Sequence, residues 1–180
     1  MTKRIAVARA TGDRDEFITS LVDVLSAANH LYVTDPDPRH ATAVVVGPFD
    51  GEAIARYAVY ENRIWDDGLD GPSYSMFAFF RPAAGLEGSA FVDEYREHAA
   101  VARVQHPGIR RYSQDIVASF SGEERWRCAG ISELHFASRE EFRDRFWLND
   151  ASRDVIARDV LRFSDPSTAK QLVVAEISRA

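Results

Sequence analysis

Apolar and polar positions along the chain switch repeatedly between a two-residue and a helical period. Residues 4–10 alternate and read as a strand. Phe17, Leu21, Val24, Leu25 and Ala28 then recur at helical spacing behind Asp13, a capping residue. Leu31–Thr34 and the β-branched Thr42–Val46 read as strands on either side of the breaker Asp35-Pro36-Asp37-Pro38. Glu52–Tyr60 is expected to form a short helix and Arg63–Trp65 a short strand, and the run from Asp66 to Pro72 reads as a linker.

The second half repeats this order more clearly. Tyr74–Arg81 is aromatic and strand-like, and Ser89 is expected to cap a helix to Gln105 that carries Phe91, Tyr95, His98 and Ala102 on one stripe. Strands are expected over Ile109–Phe120 and Trp126–Phe136, followed by a helix capped by Ser138 with Phe142 and Phe146 one turn apart. A further helix carries Val155, Ile156, Val160 and Phe163, and Leu172–Ile177 reads as the last strand. The order βαββαβ is the ferredoxin-like motif.

The first half reads as a shorter copy. Ile5-Ala6-Val7-Ala8-Arg9 aligns with Phe77-Ala78-Phe79-Phe80-Arg81, and Val44-Val45-Val46 with Glu133-Leu134-His135. The expectation is an α+β fold of two ferredoxin-like halves, 1–70 and 73–180. Their apolar sheet faces would pack together as a dimeric-type α+β barrel. Pairing of two such chains as a homodimer is a further expectation.

Composition narrows the function class. The net charge is −6, which argues against a nucleic-acid partner. Lysine occurs only at Lys3 and Lys170, a bias read as compositional drift. The single Cys128 forms no internal disulfide and reads as a buried, inert thiol. The apolar run after Met-Thr-Lys-Arg is too short for a signal segment, and no stretch has membrane-spanning length, so a cytoplasmic protein without a membrane partner is expected. His30, His40, His98, His106 and His135 lack metal-ligand spacing, and no metal or other cofactor is expected.

Residues 75–177 resemble an EthD domain of the dimeric α+β barrel superfamily. The resemblance rests on four segments in order: Phe91-Val92-Asp93-Glu94-Tyr95-Arg96-Glu97-His98, Gly108-Ile109-Arg110-Arg111-Tyr112, Gly130-Ile131-Ser132-Glu133-Leu134-His135-Phe136, and Asp159-Val160-Leu161-Arg162-Phe163-Ser164-Asp165. It implies a cofactor-independent enzyme acting on a small hydrophobic, oxygenated molecule such as a lactone or polyketide-like ring. Isomerase, cyclase and monooxygenase chemistries all occur on this fold, as do proteins without catalysis. The first half has no histidine in the helix position equivalent to His98, so one site per chain is implied.

His98 on the inward stripe is either a core histidine bonded to a carbonyl or a general acid–base group. Tyr95, Tyr112 and Arg111 are candidates to steady an oxyanion, with core packing or ion pairing as the plainer alternative. Glu133 and His135 share one strand face; Glu133 is expected to pair with Arg111 or Arg81, or to orient His98. Arg81 is a candidate carboxylate or enolate ligand, or a structural partner of Glu133 or Asp115. A non-catalytic binding protein is favoured if Phe91, Trp126 and Trp147 pack the space beside His98 shut.

Overall fold

A computed structural model describes residues 2–10, 12–25, 29–34 and 41–177; Ala28, the breaker at 35–38 and His40 lie outside them. The elements run β1 (Thr2–Arg9), α1 (Arg14–Val24), β2 (His30–Thr34), β3 (Thr42–Val46), β4 (Ala55–Tyr60), β5 (Arg63–Asp66), β6 (Tyr74–Pro82), α2 (Gly88–Gln105), β7 (Arg111–Gly122), β8 (Gly130–Phe136), α3 (Arg139–Arg145), α4 (Ser152–Phe163) and β9 (Ser164–Glu176). The strands lie in the order β4-β1-β3-β2-β9-β6-β8-β7, and pairing of β4 with β7 closes them into an eight-stranded antiparallel barrel. β5 continues along β7 beyond β4. The first four strands and the last four thus have the same internal order.

Closure leaves β4 and β7 no open edge at their junction. It also explains why Glu52–Tyr60 is not the helix its spacing suggests. Ala55, Tyr57 and Val59 are buried while their neighbours are less so, a period of two. The segment is held between β1 and β7, so pairing on both sides overrides local propensity.

Other boundaries shift for local reasons. Trp126 sits in a single 3₁₀ turn, Glu124–Trp126, and β8 begins only at Gly130. Asp13 caps α1 by accepting from the amides of Asp15 and Glu16, and Ser138 caps α3 by accepting from Glu141 N. Ser89 does not cap α2, whose N-cap position is Glu87 without a side-chain bond. β9 starts earlier than its apolar residues suggest. A bulge between Phe79 and Arg81 leaves the Arg81 amide donating to Thr168 Oγ1, so the polar start of β9 completes the pairing.

Alternation sorts each strand onto two faces. Ile5, Val7, Val44, Tyr57, Phe77, Phe79 and Ile131 meet in the barrel interior with Trp126 and Cys128. The outer face of the first half packs Ala6, Ala8, Leu31, Val33, Ala43 and Val45 against Leu21 of α1. The outer face of the second half carries two aromatic clusters. One joins Phe80, Phe91, Tyr95 and Phe163; the other joins Tyr112, Phe136, Phe142 and Phe146. Gly130 lies under the Phe80 ring, where a Cβ would come within 2.6 Å of it. Among the described residues no helix is long and apolar enough to cross a membrane.

Candidate functional site

A cavity of about 170 Å³ lies between the two aromatic clusters, roofed by α2 and α4 and floored by the outer face of β6, β8 and β9. Met76, Ala78, Phe80 and Leu134 supply its apolar floor; Ile156, Val160 and Phe163 of α4 and Trp147 supply walls. His98, Ala102 and His106 line it from α2 and its C-terminal cap. Its polar groups include these two histidines with Tyr112, Ser132, Ser164 and Gln171, and among the described residues no charged side chain lines it.

His98 is buried, and its Nδ1 lies 2.6 Å from Asp159 Oδ2 on α4. An ionised carboxylate only accepts, so Nδ1 carries the proton and Nε2 the lone pair. Burial pushes the His98 pKa down, and Asp159 opposes that shift. Asp159 is fixed in turn by Arg162, 3.2 Å away, which also bonds Glu94 and Glu97. The result is a neutral imidazole with a fixed tautomer, the arrangement a general base requires.

Tyr95 of α2 is fully buried outside the cavity lining, and its hydroxyl lies 2.8 Å from Ser132 Oγ. Tyr112 lines the cavity, accepts a 3.3 Å bond from Gln114 Nε2, and has its pKa pushed up to about 12 by burial. Both phenols stay protonated and able to donate.

The other expected site residues lie elsewhere. Glu133 and His135 project into the barrel, on the opposite sheet face from His98, so Glu133 does not orient it. Nor is Glu133 paired with either arginine. Lys3 Nζ lies 3.0 Å from Glu133 and 2.6 Å from Asp115, while His135 Nε2 is 3.5 Å from Glu133. Burial alone would raise Glu133, but Lys3 and His135 hold its pKa down. Burial and the adjacent Glu133 raise Asp115.

Arg111 bonds Asp66 Oδ2 at 2.8 Å and lines, with Lys3, Glu133 and His135, a separate polar recess of about 120 Å³ at the barrel mouth. Arg81 is half-exposed and bonds Glu124 and the Arg127 carbonyl, away from both spaces. Trp126 belongs to the barrel interior and Phe91 packs on Phe80 and Tyr95, so of the three residues named as a plug only Trp147 reaches the His98 cavity, as a wall.

Two residues escaped sequence reasoning. Asp159 opens the last of the four segments quoted above, but its pairing with a histidine 61 positions away has no local signature. His106 was legible in principle. It continues the 98–102–106 spacing of the α2 stripe, one position past the last helical residue.

No protein-family model and no curated protein sequence matches the chain. Solved structures do share its fold. An anthrone oxidase-like protein is 13% identical, with a TM-score of 0.64 over 98% of this chain and 90% of that one. A candidate monooxygenase of Fusobacterium nucleatum subsp. nucleatum is 6% identical, with a TM-score of 0.64 over 98% of this chain and 92% of that one. A major regulator of staphylococcal pathogenesis is 15% identical, with a TM-score of 0.54 over 97% of this chain and 99% of that one. The chain is thereby similar in fold to α+β barrel proteins.

Proposed function

We propose that the chain is a cofactor-independent enzyme in which His98 removes a proton from a small, hydrophobic, oxygenated ring compound. The observation that carries this reading is the His98–Asp159 pair opening onto an apolar cavity. His98 Nε2 takes the proton from an acidic C–H beside a carbonyl. The imidazolium that forms is held by the Asp159 carboxylate, and a hydroxyl of Tyr112 or Ser132 donates to the enolate oxygen. Tyr95 acts behind Ser132 by fixing its hydroxyl. The reading keeps 1–70 and 73–180 as two ferredoxin-like halves, the second EthD-like, with one site per chain.

A second reading starts from the same carbanion. The fold is shared with proteins described as anthrone oxidase-like and as a candidate monooxygenase. That supports dioxygen as co-substrate: one ring CH₂ and one O₂ give a ring C=O and one water.

Anthrone separates the two readings. Under argon in D₂O, the enzyme is expected to exchange the anthrone CH₂ protons faster than buffer does, and His98→Ala to lose that acceleration. Oxygen uptake in air, absent in the variant, selects the monooxygenase reading. Exchange without uptake selects isomerase- or cyclase-type chemistry. Neither activity, or both unchanged in His98→Ala, removes His98 as the base.

A further inference from the structure

The His98 cavity holds a second imidazole whose bonding is set in the same sense. His106 Nδ1 faces the carbonyl oxygen of Phe146, so Nδ1 must be its donor. Its ring packs in a three-ring cluster with Phe146 and Trp147, at tilted contacts with centroids 4.6 and 4.8 Å away. It is buried, and it lines the cavity with His98. Among the described residues no group bonds Nε2 of either ring. Each histidine spends its only N–H on protein and leaves an acceptor for whatever fills the space.

That pattern specifies a ligand. An occupant without a donor would bury the His106 lone pair unpaired. An anionic occupant would meet no cation, since no arginine or lysine lines the cavity. A neutral ring hydroxyl satisfies the site: its O–H donates to His106 Nε2 while its ring lies against Trp147, Phe146 and Leu134. We infer that His106 is a specificity-determining residue that selects hydroxylated, phenol-type rings over their ethers and over carboxylates. This deepens the reading of the cavity as a substrate site, because it names the group by which a substrate is held while His98 faces its acidic C–H.

The test is binding, which needs no turnover. Calorimetric titration of the full chain with 1-naphthol and with 1-methoxynaphthalene is expected to give naphthol an advantage of about tenfold or more, the scale of one buried hydrogen bond. His106→Asn keeps a donor near Phe146 O, and its acceptor oxygen falls short of the Nε2 position. His106→Phe keeps an aromatic ring against Phe146 and Trp147 and loses the acceptor. Both are expected to lose the naphthol advantage while still binding the ether, and ether binding certifies an intact cavity. If a variant loses both ligands together with its thermal transition, the other decides.

A naphthol advantage that survives in a folded variant overturns the proposal, as does equal affinity or no binding of either compound in the parent chain. His98→Ala is expected to retain the preference. A preference retained there, with no C–H exchange in the parent, would leave hydroxyl selection standing and remove proton transfer.

Discussion

The two helix-covered faces of this barrel share a strand order and differ in what lies beneath the helices. Under α1 the floor is aliphatic, with Ala6, Ala8, Ala43 and Val45 beside Leu31 and Val33, and Leu21 of the helix packs against it. Under α2 and α4 the floor and roof are aromatic. Rings of differing tilt meet there, such as Phe80 against Tyr95 at 85° and Phe80 against Phe163 at 68°. Between the two ring clusters a space remains, and both histidines face it. One ladder thus supports a plain aliphatic face or a working aromatic one, according to side-chain volume and shape.

The largest expected effect tests the working face directly. His98→Ala should lower any turnover that depends on its proton transfer by about 10²–10⁴-fold. Measured as kcat/KM on anthrone or another accepted ring, the loss should fall on kcat, because cavity shape is little changed. A loss confined to KM would reduce His98 to a binding group.

Truncating residues on the two faces should give unequal costs. Leu21→Ala on the aliphatic face removes a buried side chain and is expected to cost about 2–5 kcal/mol by urea unfolding. Ile156→Ala already faces empty space, so it should cost well under half as much. Equal costs would mean that the second face is as closely packed as the first.

How much of this contrast was legible in the sequence follows from range. The two periods, the caps at Asp13 and Ser138, and the α2 stripe are local, and the structure has them at those positions. The inward orientation of Ile5 and Val7 matches that of Phe77 and Phe79, as period-two spacing requires. Pairings fixed by barrel closure were not legible. Lys3, set aside as compositional drift, supplies the charge that Glu133 and Asp115 need, because β1 is curled opposite β7 and β8 across the interior. Arg81 and Arg111 were expected in that role because they stand in or beside otherwise apolar strands. β4 was misread because its partners are 48 residues or more away along the chain, and nothing within 52–60 announces them.

A smaller effect distinguishes a neutral, buried His106 from an exposed one. Burial holds its pKa to about 4 in the fold, against 6.5 when unfolded. Between those values the unfolded chain binds the extra proton, so stability falls as pH falls. The contribution is complete above pH 6.5 and worth at most about 3 kcal/mol, at 1.36 kcal/mol per unit. His106→Asn should therefore show a shallower loss of stability between pH 6.5 and 4 than the parent chain. Parallel curves would place His106 in water, where it could not impose the selectivity argued above.

The smallest effect on stability should accompany a complete effect on binding. Ala102 lies on α2 between the two histidines and lines the cavity. Leucine there fills the space with methyl groups at a helix position that favours it. Lost cavity and added strain oppose each other, so Ala102→Leu should change unfolding free energy by no more than about 1 kcal/mol in either direction. It should nevertheless abolish naphthol binding, making the second face resemble the first. A large destabilisation would mean that the cavity is too rigid to be filled, and that its volume is fixed by the aromatic clusters around it. Retained binding would place the ligand elsewhere, with the polar recess at the barrel mouth, lined by His30 and His135, as the next space to test.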